Sequence, residues 1–239
     1  MTSTIQVATT AGTIQVRRRL ANGFTSTVAY TWSKAIDNAM LGGQGQSLVA
    51  QNWLDLSAER GLSSFDQRHA LNVQAQYSTG VGVMGGALLS GWRGRLFKEW
   101  TIATQITAGS GRPQSPLFPA PVRGFTNSVR PLYTGAPLYD APAGLYLNPA
   151  AFTAPLPGQW GNAGRHIITG PSTFSLNASL ARTFRINDRV NTDLRLDATN
   201  ALNTVVYQSW VTTVTSAQFG LPTQANNMRQ VRLNMRVRF

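Results

Sequence analysis

Apolar and polar side chains alternate with a period of two along much of the chain, and this predicts half-buried β-strands. The strongest run is 24–33, where Phe24, Val28, Tyr30 and Trp32 share one face and Thr25, Thr27, Ala29 and Thr31 the other. Residues 70–77 repeat it, with Leu71, Val73, Ala75 and Tyr77 opposed to Asn72, Gln74 and Gln76. Weaker or shorter runs follow at 100–108, through Trp100, Ile102 and Ile106, and at 174–180, through Phe174, Leu176, Ala178 and Leu180. At 190–198, Val190, Leu194, Leu196 and Ala198 oppose Asn191, Asp193, Arg195 and Asp197. The last run sets Val231, Leu233, Met235, Val237 and Phe239 against Gln230, Arg232, Asn234, Arg236 and Arg238, and 13–19 forms a further strand.

The connections decide what kind of sheet this is, because a soluble sandwich alternates too. Asn22-Gly23 marks a tight hairpin, and Ile186-Asn187-Asp188 a short turn, whereas the links 34–68, 109–172 and 203–227 are long. A Gly-rich link of intermediate length covers 79–99. Short and long links alternate, as they do in transmembrane barrels with periplasmic turns and outside loops. Structureless links this long count against a compact soluble domain. The fold expected is all-β: an antiparallel, curved, open sheet forming a transmembrane β-barrel segment. It has seven strands, or eight if Ile5 and Val7 belong to a further one, and the neighbours in sequence pair.

Tyr30, Trp32, Tyr77, Trp100 and Phe184 fall near strand ends on the apolar face, where an interfacial aromatic girdle would sit. Asp193, Arg195 and Asp197 share a polar face with Arg232 and Arg236 of the next strand, as a lumen-lining charge ladder would. Opposite charges meet, with Asp193 facing Arg236 and Asp197 facing Arg232, only if Val190 lies beside Phe239.

Composition narrows function. There are 21 Lys+Arg against 9 Asp+Glu, a net charge of +12. The arginines are dispersed and do not form an aromatic-interleaved stripe, so nucleic acid is not the expected partner. No cysteine is present and only two histidines, His69 and His166. Neither a thiolate nor a multi-histidine metal site is therefore available. Asp66 beside His69 lacks a nucleophile to complete a catalytic set, and Gly42-Gly43-Gln44-Gly45 and Gly80-Val81-Gly82 lack the strand-to-helix setting of a phosphate loop. No catalytic residue and no cofactor are expected. No stretch is long and apolar enough for a membrane helix. The first residues carry no export signal, so the chain reads as part of a longer exported precursor.

Several runs together resemble the C-terminal barrel region of TonB-dependent outer-membrane proteins, particularly the Oar-like group. They are Ala29-Tyr30-Thr31-Trp32-Ser33-Lys34-Ala35-Ile36-Asp37, Glu59-Arg60-Gly61 with Phe65-Asp66-Gln67-Arg68-His69, and Ala108-Gly109-Ser110-Gly111-Arg112-Pro113. Leu147-Asn148-Pro149-Ala150-Ala151-Phe152, Gly161-Asn162-Ala163-Gly164-Arg165, Asp197-Ala198-Thr199-Asn200-Ala201-Leu202-Asn203 and the terminal Arg238-Phe239 complete the set. The resemblance implies a transporter for an unidentified ligand, embedded in outer-membrane lipid and driven by a TonB-type transducer acting through a plug that this chain lacks. It also implies that Val231, Leu233, Met235, Val237 and Phe239 form the terminal signal read by the barrel-assembly machinery. Two other readings remain at this stage: a complete small barrel with a structural or adhesive role, and a soluble glycan-binding sandwich.

Overall fold

A computed structural model describes residues 6–38, 50–52, 55–119, 128–186 and 190–239. Seven long strands dominate it: β1 (Val7–Ala21), β2 (Phe24–Asp37), β3 (His69–Ser78), β4 (Trp100–Gly109), β5 (Thr173–Arg185), β6 (Asn191–Thr199) and β7 (Gln230–Arg238). They form one sheet in sequence order, every ladder antiparallel, with Gly61–Leu62 added beside the end of β2. The β1–β2 hairpin closes on Asn22 and Gly23, at φ 53° and 77°. These left-handed conformations match the turn twist to that of the strands, and Asn and Gly adopt them most readily.

Registry carries one face through all seven strands. Val16 lies opposite Val28 and Val28 opposite Val73. Val73 then meets Ile106, and Ile106 meets Leu176. Further along, Leu180 is set against Leu196 and Leu196 against Leu233. A one-residue slip anywhere would move a strand's apolar set to the other side, so the shared face fixes the register. This apolar face is bare: Ile14 is 67% exposed, Ile102 48% and Leu233 66%. The alternate positions, mostly polar with a few alanines such as Ala29 and Ala103, line hollows and so form the concave side.

Two expectations are corrected. Val7 does not begin an eighth strand; it pairs with Asp37 as the first residue of β1, while Ile5 lies outside the described residues. No second sheet covers the apolar face among the described residues, because the two other ribbons are two-residue pairs within the long links. The sandwich reading therefore fails. Residues 187–189 of the short turn and the glycines at 42–45 also lie outside the described residues, although the Ile186 N–H reaching the Val190 carbonyl (3.1 Å) closes that turn. The helical segment α1 (Gly91–Phe97), between β3 and β4, has no counterpart in the sequence reading.

All three long links leave from the same rim, and they pack into a cap with its own core. Leu138, Leu147, Ala151, Phe152, Ala163, Ile168 and Phe219 are buried together. Two of the runs that carry the family resemblance, 147–152 and 161–165, supply much of this core. Asn148 caps the turn Pro149–Ala151 by accepting the Ala150 N–H at 3.0 Å.

Candidate functional site at the lumen face and mouth

Three hollows follow one another along the concave face. At the cap, a hollow of about 620 Å³ is lined by Gln67, Asn72, Arg112, Gln114, Tyr207 and Asn226. Midway, one of about 510 Å³ is lined by Thr27, Gln74, Gln105, Asn177, Arg195 and Asp197. At the short-link rim, Ser78, Glu99, Thr101, Arg185 and Arg238 surround a third, of about 710 Å³. Hydroxyls and amides dominate the first two walls and charged side chains join them in the third, which suits a water-filled passage.

The charge ladder stands in this wall in the register expected from charge: Asp193 opposite Arg236, Arg195 opposite Asn234 and Asp197 opposite Arg232. The side chains nevertheless meet on the diagonal. Arg238 reaches Asp193 at 2.5 Å and the Asn234 amide donates to Asp197 at 3.2 Å, while Arg195 binds Asp197 along its own strand at 2.7 Å. Diagonal neighbours lie within reach of long side chains, and both cross-strand contacts lean the same way. The ion pairs expected directly across the ladder are thus replaced by contacts two residues on. All four charged partners are about a third or more exposed on their side chains, so each pair contributes little net stability.

Above the mouth the cap is tied to the barrel by a buried polar network. Glu59, 1% exposed, accepts from Arg130 Nη1 at 2.6 Å and from the Gln51 N–H at 2.9 Å. Arg165 forms a buried ion pair with Asp37 at the end of β2 and donates to the Glu59 carbonyl at 2.8 Å. Asp66 is buried and accepts the Ala35 N–H at 2.6 Å, and His69 instead engages the Tyr30 hydroxyl at 2.8 Å. Asp66 therefore pins a strand end and does not orient His69. His166 donates from Nδ1 to the Leu62 carbonyl (2.5 Å), so its neutral ring carries its proton there. Burial holds the His166 pKa below the ordinary imidazole value, and the Arg165 and Arg130 guanidiniums add to this against the opposing Leu62 hydrogen bond. Beside the mouth, Tyr146 stacks on Trp210 at 4.4 Å and meets Tyr207 edge-on, and the hydrogen bond with Tyr207 raises the Tyr146 pKa. None of these three aromatics is among the site residues expected from the sequence, since no local pattern joins Tyr146 to Tyr207 or Trp210.

On the convex face the aromatic residues fall in two bands. Phe24 pairs with Tyr77, and Trp100 and Phe184 lie at the same short-link end. Tyr30 and Trp32 lie toward the cap, with Phe174 level with Tyr30 through Ala108 and Leu71. Phe24 and Trp32 are eight positions apart on β2, about 26 Å of strand, or roughly 20 Å along the membrane normal at barrel tilt. That is close to the thickness of an outer-membrane apolar band. Val231, Leu233, Met235 and Val237 continue the face along β7, and Phe239 follows them fully exposed.

A bare apolar belt between aromatic bands, a polar concave side and loops gathered at one rim define the wall of a transmembrane β-barrel. A family model described as an outer membrane beta barrel domain matches residues 3–232, and the chain belongs to that family. Its place is the bacterial outer membrane. No curated protein and no solved structure matches the chain.

Proposed function

We propose that this chain forms the C-terminal part of the barrel of a TonB-dependent outer-membrane transporter of the Oar-like group, with the cap as its ligand-contacting mouth. The supporting observation is the convergence of three separate links on one ordered cap beside a hollow of about 620 Å³ that opens onto the polar wall. Fixing links together through buried ion pairs has a large desolvation cost, and a wall with no selective role gains nothing from it. The lining, rich in amides with Tyr207 and Arg112, suits a polar ligand. Energy from a TonB-type transducer reaches such a barrel through a plug, which a segment preceding this chain would supply. Lipid covers the convex face, and the assembly machinery engages β7 and Phe239. No catalytic step, cofactor or nucleic acid enters this reading.

The test begins with the coding sequence upstream of Met1. An in-frame export signal and plug are expected there, and crosslinking the longer protein to the inner-membrane transducer should succeed in energised cells. An export signal joined directly to this chain, with no plug, would overturn the transporter reading in favour of a small structural or adhesive barrel.

A further inference from the structure

The link between β3 and β4 lies at the short-link rim, far from the cap. From Thr79 to Lys98 it contains no acidic residue and three basic ones, Arg93, Arg95 and Lys98. Its large apolar side chains are open: Met84 and Leu88 are 69% exposed, Trp92 66%, and Val83, Leu96 and Phe97 are exposed as well. An exposed apolar cluster of this size marks a surface for a partner or a membrane.

Its location selects between them. Trp100 and Arg182 both stand on the convex, lipid-side face of their strands. The Trp100 indole N–H donates to the Leu96 carbonyl at 2.8 Å, and the Arg182 guanidinium donates to the Arg95 carbonyl. Such last-turn carbonyls have no partner inside a helix. The Arg182 guanidinium also lies over the Trp100 and Phe184 rings, at 5.1 and 4.6 Å. A seven-residue helix with glycines at 91 and 94 does not hold together alone in water. These two side chains fasten it to the outer wall, level with the aromatic band. Glu99, the nearest carboxylate in sequence, faces the concave side and binds Arg185 at 3.0 Å, so it leaves the basic residues unneutralised.

We infer that residues 81–98 form an interfacial anchor that lies in the headgroup layer at the short-link rim and gathers anionic phospholipids there. Trp92, Leu96 and Phe97 enter the acyl boundary, and Arg93, Arg95 and Lys98 hold the phosphates, the division of labour of an interfacial amphipathic segment. The inference rests on the barrel alone and holds whether or not the barrel transports.

The chain has no cysteine, so Ser90→Cys provides a single labelling site; Ser90 is exposed and makes no capping hydrogen bond through its side chain. The full chain carrying a fluorophore there is reconstituted in phosphatidylcholine bilayers with a trace of brominated phosphatidylglycerol or, separately, the same fraction of brominated phosphatidylcholine. Several-fold stronger quenching by the anionic lipid is expected. Each basic residue contributes about 5-fold to local enrichment at low salt, so neutralising Arg93, Arg95 and Lys98 to Gln should equalise the two lipids while preserving quenching by phosphatidylcholine. Neutralising Arg60 and Arg229, exposed at the opposite rim, should leave the preference intact. Without any substitution, raising the salt should also shrink it. Equal quenching by both lipids in the parent chain, no quenching by either, salt independence, or equal loss in both neutralised variants would each overturn the inference.

Discussion

Replacing Glu59 with Leu isolates what holds the cap closed. The substitution strips Arg130, whose side chain is 10% exposed, of its only ion-pair partner among the described residues, and leaves the Gln51 N–H without its acceptor. A buried charge left unpaired costs about 3–5 kcal/mol, against a marginal stability for any single folded unit. Because the cap has its own core, separate from the sheet, it should open as a unit. Hydrogen exchange on the reconstituted protein reads this directly. The Arg130 and Ala163 amides, bonded to Gln51 and Pro131, should lose roughly 10²- to 10⁴-fold in protection, while strand amides in β3 and β4 change little. Pairing Glu59→Leu with Arg130→Met removes both charges and should recover most of the protection, since apolar replacement of a whole buried pair is close to neutral. A loss below about 10-fold in the single variant, or a double variant worse than the single, would refute the claim that this ion pair carries the cap.

Acidification should weaken the same cap. The folded-state pKa of His166 is lowered, so as pH falls through about 6.5 the unfolded cap binds a proton before the folded one, and stability drops. Pulse proteolysis should show increasing cleavage in the cap below that pH, and His166→Gln should flatten the response. Gly111→Ala should prevent cap formation, because its methyl group would meet the Gly170 backbone carbonyl; Gly109→Ala meets side-chain ends alone, the Gln67 amide and the Thr173 hydroxyl, and should cost less, chiefly the Gln67 hydrogen bond to the Ser110 carbonyl. Proteinase susceptibility of the long links separates the two outcomes. In the longer parent protein, Phe239→Ser should lower outer-membrane yield more than Arg238→Ser, since Arg238 contributes only an exposed pair with Asp193; equal yields would remove Phe239 from the assembly signal.

The strands were legible because their two faces differ chemically: once Tyr30, Leu71 and Leu176 are assigned to lipid, the neighbours have no freedom of parity. The β6–β7 register was legible for a different reason, the charges at 193, 197, 232 and 236. Side-chain contacts alone would have misassigned it, since Asp197 touches Asn234 while lying opposite Arg232. The apolar alternation of β5 reads only to Leu180 because Arg182 interrupts it before Phe184, which was placed at the strand end; stacking between Trp100 and Phe184 is what lets a guanidinium stand there. The cap was recognisable only as a set of family-like runs. Its contacts join residues 71 and 128 positions apart, Glu59 with Arg130 and Asp37 with Arg165, and no local periodicity records such pairs. The helix α1 was invisible because Gly-Trp-Arg-Gly-Arg-Leu-Phe is a poor helix former and takes its shape from the wall.

Seven antiparallel strands in sequence order have a directional consequence. The first and last, β1 and β7, both run from the cap toward the short-link rim. Brought directly together they would form a parallel seam in an otherwise antiparallel sheet. A cylinder completed by antiparallel ladders alone therefore requires an odd number of further strands between these two edges, whatever chain supplies them. The added strand that neighbours β7 must run upward from the short-link rim, and so must the one beside β1. Both have to present apolar side chains outward, in step with Leu233 and Val16. Orientation and facing of any strands that complete the cylinder are thus set by the two edges already built.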